Sequence, residues 1–388
     1  MVFVRHTLPG ERVLARLTEA EPGARFWRAD AVEVLEASPD RVPSAWPAAG
    51  PGGVGGAELA HVALPAQRRW KATVVAEQMR RLGRVNPEVT VEEVPGPPDG
   101  LGWRTRIELM VNRSGQAGMH RHRSREVVPL TAMPLAVPEI EALGLFERHW
   151  PGGARITAVA PTGDRPLLLV DGAPWLEKGP DRRPNARTSV RESVEVSGHP
   201  YTWRVAADGF WQVHRAGPAV LAQAVLDAVG PVDGERVADL YSGAGLFTVP
   251  LADAVGPSGR VMAVDGDPRA VRDARRNSHD RAQVDLALGA VGDVLASGAV
   301  GRADVVLLDP PRVGAGRAVI ESVVGLRPRR VVYVACDPAA LARDVGYLGN
   351  LGYGLVGLRA FDLFPMTHHV ECVAVFEPVS EVGEREVR

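Results

Sequence analysis

Cysteine is nearly absent from this 388-residue chain; Cys336 and Cys372 are the only two. Two thiols exclude a disulfide framework in practice. Lysine is as scarce, with Lys71 and Lys178 alone, so arginine carries the positive charge. Arginine suits bidentate phosphate contacts, although the excess of Ala, Val, Gly and Arg also fits a coding bias. Long hydrophobic runs are missing too. None approaches the ~18 apolar residues of a membrane span, so none is expected. A net charge of −2 argues against a protein coated in nucleic acid but leaves room for a local basic face. The opening MVFVRHTLPGERV has no basic stretch followed by an apolar one and is not expected to act as a secretory signal. The chain is expected to be cytoplasmic.

What is present divides into three parts. Residues 1–42 alternate short β-rich segments with the turns Pro9-Gly10 and Pro22-Gly23, and a small β-barrel is expected, its first strand starting at Met1 or cut short there. Residues 43–206 read as a small α+β region. It opens on a Pro- and Gly-rich loop (43–62), continues in a helix from about Ala66 to Leu82, and then in strands beginning at Trp103. A helix is expected over 138–149 and a polar loop over 171–192. The densest cationic stretch, Met119-His120-Arg121-His122-Arg123-Ser124-Arg125, lies here. With Trp103, taken as exposed, and with Arg104 and Arg106, it is the candidate RNA-backbone surface, though most such patches are merely solvated. Residues 207–380 alternate strands and helices, the signature of a doubly wound parallel α/β sheet. The charged tail after Pro378 is expected to fray.

The ends of those strands carry the chemistry. Val331–Ala335 is an apolar, β-branched run that stops at Cys336; Asp337 then offers an N-cap and Pro338 a first helical residue. A thiol at a strand's carboxyl end, beside a helix N-terminus, stands where open α/β sheets bind ligands, and the helix end favours its thiolate. A core cysteine is the plain alternative. Asp239-Leu240-Tyr241-Ser242-Gly243-Ala244-Gly245 follows the first strand of the sheet, and its glycines permit close approach of a nucleoside. It lacks both the third glycine of a dinucleotide fingerprint and the lysine of a phosphate loop. Asp265, ending the second strand, is spaced to hold two ribose hydroxyls, which selects a nucleoside cofactor without pyrophosphate; S-adenosylmethionine leads. Asp293 is placed to meet the adenine edge. Asp309-Pro310-Pro311-Arg312 is a rigid strand exit presenting a carboxylate. Glu371 opens the last strand as a candidate general base, an ion-paired edge residue being the plain alternative; Cys372, on the other face, reads as core.

Together these segments resemble the S-adenosylmethionine-dependent RNA uridine-5-methyltransferases, over nearly the whole length and through FWQVH, DLYSGAGLF, VDGD, LLDPPR, VACDPAALARD and FPMTHHVE. The resemblance implies a class I (Rossmann-like) methyltransferase domain at 207–380 behind a TRAM/OB-like RNA-binding barrel at 1–42 and the central region at 43–206. It implies a cofactor site of Gln212, Tyr241, Gly243, Gly245, Asp265, Asp293 and Asp309, with Cys336 as nucleophile and Glu371 as base. The expected substrate is a uridine of ribosomal or transfer RNA, 23S ribosomal RNA ahead of transfer RNA, and the expected state is a monomer. Members with a TRAM barrel often hold an iron–sulfur cluster on four cysteines. The matching positions here read Trp46-Pro47, Val54-Gly55-Gly56-Ala57 and Met133-Pro134, so no cluster is expected. Asp337 stands where Asn is common. Two other functions stay open: an amino-group methyltransferase using the Asp309-Pro310-Pro311 exit, and a non-catalytic RNA-binding protein.

Overall fold

Apolar strands covered on both faces need helices above and below, and the C-terminal half supplies them. In the computed structural model, which describes residues 1–177 and 179–379, eight strands form one sheet. Their order is Val284–Leu288, Arg260–Asp265, Arg236–Leu240, Val305–Leu308, Arg330–Ala335, Glu371–Pro378, Tyr353–Phe361 and Val91–Glu92. The first five are mutually parallel, and Glu371–Pro378 runs antiparallel to both its neighbours. Strand order reverses between Arg236–Leu240 and Val305–Leu308, which opens a crevice at their carboxyl ends. The fourth and fifth strands are almost wholly buried, from Val305–Leu308 to Val331–Ala335. No helix among the described residues is long and apolar enough to cross a membrane.

A seven-stranded antiparallel sheet, which includes Arg106–Val111 beside its central strand Arg155–Val159, occupies the middle of the chain. It reaches the crevice through its neighbour in sequence. Thr105 N–H donates to Val213 O at 2.8 Å and Arg215 N–H to Trp103 O at 3.0 Å, so the stretch carrying Gln212 is stitched to the start of that strand. Two segments of 43–206 are packed with the doubly wound sheet instead. The hairpin Ser189–Val196/His199–Ala206 buries Val194, Val196, Trp203 and Val205 in that sheet's core. The helix Leu64–Gln78 contributes Val75, and the π-turn Met79–Gly83 that follows contributes Met79.

Several expectations need correction. The N-terminal residues form three strands, Val2–Arg5, Trp27–Glu36 and Arg12–Glu19, and three strands do not close a barrel. The helix expected over 138–149 is a single turn, Pro138–Glu141; the chain leaves it and Gly144 adopts a left-handed φ of +60°. Short strands, Ala173–Leu176 and Gly179–Pro180, run through the stretch read as a loop. The charged tail lies, from residue 380 on, outside the described residues. At the positions matching cluster cysteines, Trp46, Val54 and Ala57 are buried in one apolar core and Met133 packs against it. These side chains offer no thiolate, so they do not fit an iron–sulfur cluster.

The loop 362–370 is held from the side by the helix Leu64–Gln78. Lys71, fully buried, sets its Nζ 2.6 Å from Asp362 Oδ1 and 3.0 Å from Phe364 O. Gln67 adds a reciprocal pair, donating to Met366 Sδ and accepting from Met366 N–H at 2.8 Å. Removing one partner of a buried pair strands the other charge, at a cost of about 3–5 kcal/mol, whereas replacing both by apolar groups is often neutral. Lys71→Met is therefore expected to lower unfolding stability by that amount in urea titrations, and Lys71→Met/Asp362→Leu to recover most of it. A single variant as stable as the parent would remove the pair from its structural role.

Candidate active site

Five strand ends converge on the crevice. Leu240 pairs with Leu308, Leu308 with Tyr333, and Ala335 with Cys372, so Tyr241, Asp309, Cys336 and Glu371 follow at one carboxyl edge. Register places Cys336 opposite Glu371, one residue beyond the last paired positions. A cavity of about 690 Å³ lies above them. Gln212, Tyr241, Gly243, Asp265, Asp309, Cys336 and Glu371 all line it, as do Arg104, Phe210, Arg312, Thr367 and His369.

The turn after Arg236–Leu240 is shaped by backbone strain. Tyr241 has φ +65°, a left-handed conformation that is rare for an aromatic residue and costs about 1–3 kcal/mol. It is followed by Gly243 at φ +56°, whose N–H donates to Asp265 Oδ2 at 2.8 Å. Asp265 is thereby fixed at the cavity wall, its other oxygen accepting from Asp267 N–H at 2.7 Å. Gly245 does not reach the cavity. Its φ is +88°, its carbonyl accepts from Trp203 Nε1–H, and a Cβ there would touch Ala274 of the helix Pro268–Asn277. It serves the packing of that helix. Asp293 is also not brought to the cavity; it lies exposed on the short helix Val291–Ala296. One more residue along a strand end or helix turn moves a side chain out of reach, and sequence spacing does not resolve that.

Cys336 sits where the sequence places it. Asp337 caps the helix Pro338–Asn350, its Oδ1 accepting from Ala340 N–H at 2.8 Å, and Pro338 occupies the first turn. The thiol is not activated by that helix end. Burial, followed by the nearby Glu371 and Asp309, pushes it up to about 11, with Arg312 opposing. Burial also raises Glu371 well above its ordinary value; Asp309 adds to this and Arg312 works against it. Asp309 is pushed up to about 7 by burial, Asp239 and Asp265. Asp239, beneath it, is likewise raised to about 7 by burial; Thr248 Oγ1 donates to one of its oxygens at 2.5 Å and the other has no partner. A pocket floored by buried carboxyls of this kind fits a ligand that brings positive charge, as the sulfonium of S-adenosylmethionine does.

The basic candidates fare differently. Trp103 is 1% exposed, inside the central core and stacked on His214 at 5.6 Å, so it offers no exposed ring. Arg106 is buried against Glu192 at 2.8 Å, and its Nη1 donates to Ala207 O and Gly209 O; it is a structural ion pair. Arg121 is paired with Glu126 and Arg123 with Glu19, so the two arginines named from that patch already have carboxylate partners. Arg104 remains. Its Nε–H donates to Arg106 O, and no carboxylate among the described residues pairs with it. Arg312 and His369, 3.2 Å apart, were visible only as members of motifs, and nothing local marks them as lining residues.

Comparison with known proteins follows the same lines. The family model of tRNA (uracil-5-)-methyltransferases matches residues 301–378, and a methyltransferase small-domain model matches 215–325. An uncharacterized RNA methyltransferase of Streptomyces avermitilis is 44% identical over 409 aligned positions, covering 98% of this chain and 94% of its own. The chain belongs to the S-adenosylmethionine-dependent RNA methyltransferases. A second relative of that description, from Bifidobacterium longum, is 41% identical and covers 97% of this chain and 91% of its own. Among solved structures, a Pyrococcus abyssi tRNA (uracil-54, C5)-methyltransferase in complex with S-adenosyl-L-homocysteine shares the fold. Its TM-score is 0.70 over 97% of this chain and 94% of that one, at 22% identity. The cofactor of this methyltransferase is S-adenosylmethionine.

A thiol held at about 11 presents roughly one thiolate in ten thousand at pH 7. Iodoacetamide labelling of the free protein is therefore expected to rise about tenfold per pH unit up to pH 10, at Cys336 alone. Cys372, wholly buried and raised further, is the internal control. A labelling rate that levels off below pH 9 would contradict the assigned electrostatics.

Proposed function

We propose that this RNA methyltransferase transfers a methyl group to C5 of a uridine in transfer or ribosomal RNA, acting as a cytoplasmic monomer. The observation that carries the reading is Cys336 facing Glu371 on adjacent antiparallel strand ends, inside the cavity that Gln212, Asp265 and Asp309 line. An amino-group methyltransferase needs neither a thiol nor a buried carboxyl base there. A non-catalytic RNA-binding protein has no use for the pocket.

Uracil C5 is a poor nucleophile, and the residue types answer that difficulty. Cys336 Sγ, as thiolate, adds to C6 and forms an S–C6 bond, and the electron pair of the C5–C6 double bond becomes available at C5. S-Adenosylmethionine supplies the methyl group that C5 then captures. Glu371 removes the C5 proton, the double bond re-forms, and the S–C6 bond breaks to return the thiolate. Burial makes Glu371 a stronger base than an exposed carboxylate once it is ionised. Its charge raises the thiol, so an ionised Glu371 and a Cys336 thiolate disfavour one another. Asp265 holds the ribose of the cofactor, Asp309 faces its charged end, and Arg312 lowers both reacting acids' pKa values from the cavity mouth. The target base is flipped out of its stack to enter. The three-stranded N-terminal sheet is the proposed TRAM-like RNA contact, and Arg104 the contact at the cavity wall.

Incubation with 5-fluorouridine-substituted transfer and ribosomal RNA tests this directly, since fluorine at C5 leaves no proton to remove. A denaturation-resistant complex is expected for the parent and none for Cys336→Ala. Glu371→Gln should accumulate the same adduct on unsubstituted RNA while turnover drops at least ~100-fold. Full methylation by Cys336→Ala would sink the uridine-C5 assignment.

A further inference from the structure

A second cavity, of about 450 Å³, lies on the outer flank of the helix Pro338–Asn350, between it and the π-turn Met79–Gly83. Arg84, Arg317 and Arg343 all line it. Like charges gathered in one concavity repel one another unless an anion is shared among them. The fold supplies little compensation. Among the described residues no carboxylate pairs with Arg84 or Arg343, and the nearest to Arg317 is Glu321, at 3.8 Å. Arg343 donates only to carbonyls, Ala339 O and Val313 O, both at 3.4 Å. Asp344, on the same helix, is 2% exposed and turned inward. Its Oδ2 accepts from Tyr333 OH at 2.6 Å and from Ala315 N–H and Gly316 N–H.

Arg343 ties this cavity to the loop that follows Asp309. Val313, which accepts from Arg343, adjoins Arg312, and Arg312 lines the mouth of the catalytic cavity beside His369. Arg343 stands seven residues on from Cys336, about 10 Å along the chain's helical rise. Arg317 lies over the Tyr347 ring at 4.6 Å, which holds its guanidinium in place without neutralising it. The result is a ladder that leads from Arg312 at the reaction cavity, through Arg343, to the concavity that Arg343 shares with Arg317 and Arg84. Planar guanidiniums at intervals suit successive phosphodiesters, and arginine is the residue that binds them in a fork.

We propose that this ladder holds the phosphate backbone of the RNA on one side of the flipped nucleotide. The proposal rests on RNA being the substrate, and it puts the electrostatic contact where the sequence does not: Arg121 and Arg123 are paired with carboxylates, whereas among the described residues Arg84 and Arg343 are not and Arg317 reaches Glu321 only at 3.8 Å.

The test is the salt dependence of binding of a fluorescein-labelled, uridine-rich single-stranded RNA, read by anisotropy. In Arg84→Ala/Arg317→Ala/Arg343→Ala the slope of log affinity against log salt is expected to fall by about 2, with binding at least about tenfold weaker. The triple Lys variant keeps most of the slope. S-Adenosylhomocysteine affinity, measured by calorimetry, stays at the parent value in both, which certifies the fold. Arg84→Ala alone, whose side chain has no partner to lose, lowers the slope by about 0.7. A triple Ala variant with the parent's slope and affinity overturns the ladder and leaves the methyltransferase reading standing. A parent that binds no RNA overturns both.

Discussion

One buried ion pair sets the geometry of the catalytic edge. Lys71 and Asp362 meet at 2.6 Å with neither side chain reaching solvent, and together they pin the helix Leu64–Gln78 to the loop leading into Glu371. That loop presents Thr367 and His369 to the cavity, and Met366 within it takes a left-handed φ of +68°. Such a conformation persists only where surroundings over-determine it, and Gln67 and Lys71 provide that surround. Holding the Glu371 carboxyl opposite the Cys336 thiol needs both strand ends fixed. Main-chain pairing fixes the Cys336 side, and the ion pair with its hydrogen bonds fixes the other.

A second constraint is the concentration of carboxyls under the reaction cavity. Asp239 and Glu371 are removed from water and Asp309 is half-buried, and each raises at least one neighbour as well as being raised by burial. The thiol inherits this field. Its helix N-terminus, capped by Asp337, is too weak a source of positive charge to overcome burial beside two acids, since a helix end contributes only about 0.3–1 kcal/mol. Arg312 already opposes this shift without overcoming it, so further activation of Cys336 falls to charge brought from outside the chain. An unliganded enzyme with an unreactive thiol is protected from adventitious alkylation and oxidation, both of which need the thiolate.

The structure also shows how the central region holds together with apolar side chains at the positions where the resemblance would place thiolates. Trp46, Val54 and Ala57 are buried in a core that includes Trp103 and Trp150 and that Met133 flanks. The tryptophan that looked like an RNA platform is a structural column of that core, stacked on His214 and edge-on to Phe364.

By itself the sequence determined the doubly wound sheet and the residues at its carboxyl edge. β-Branched runs covered on both faces, each ending in an acid, a glycine turn or a thiol, admit few other arrangements, and Tyr241, Asp265, Asp309, Cys336 and Glu371 follow from local pattern. What only the tertiary structure decided is which charges are free. Arg106, Arg121 and Arg123 look as available in the sequence as Arg84 and Arg343, but Glu192, Glu126 and Glu19 pair with the first three. Two of those carboxylates, Glu19 and Glu192, come from distant chain segments that no local pattern connects. The closure of the N-terminal sheet and the reach of Asp293 and Gly245 were decided in the same way, because each depends on where a neighbour of remote sequence stops.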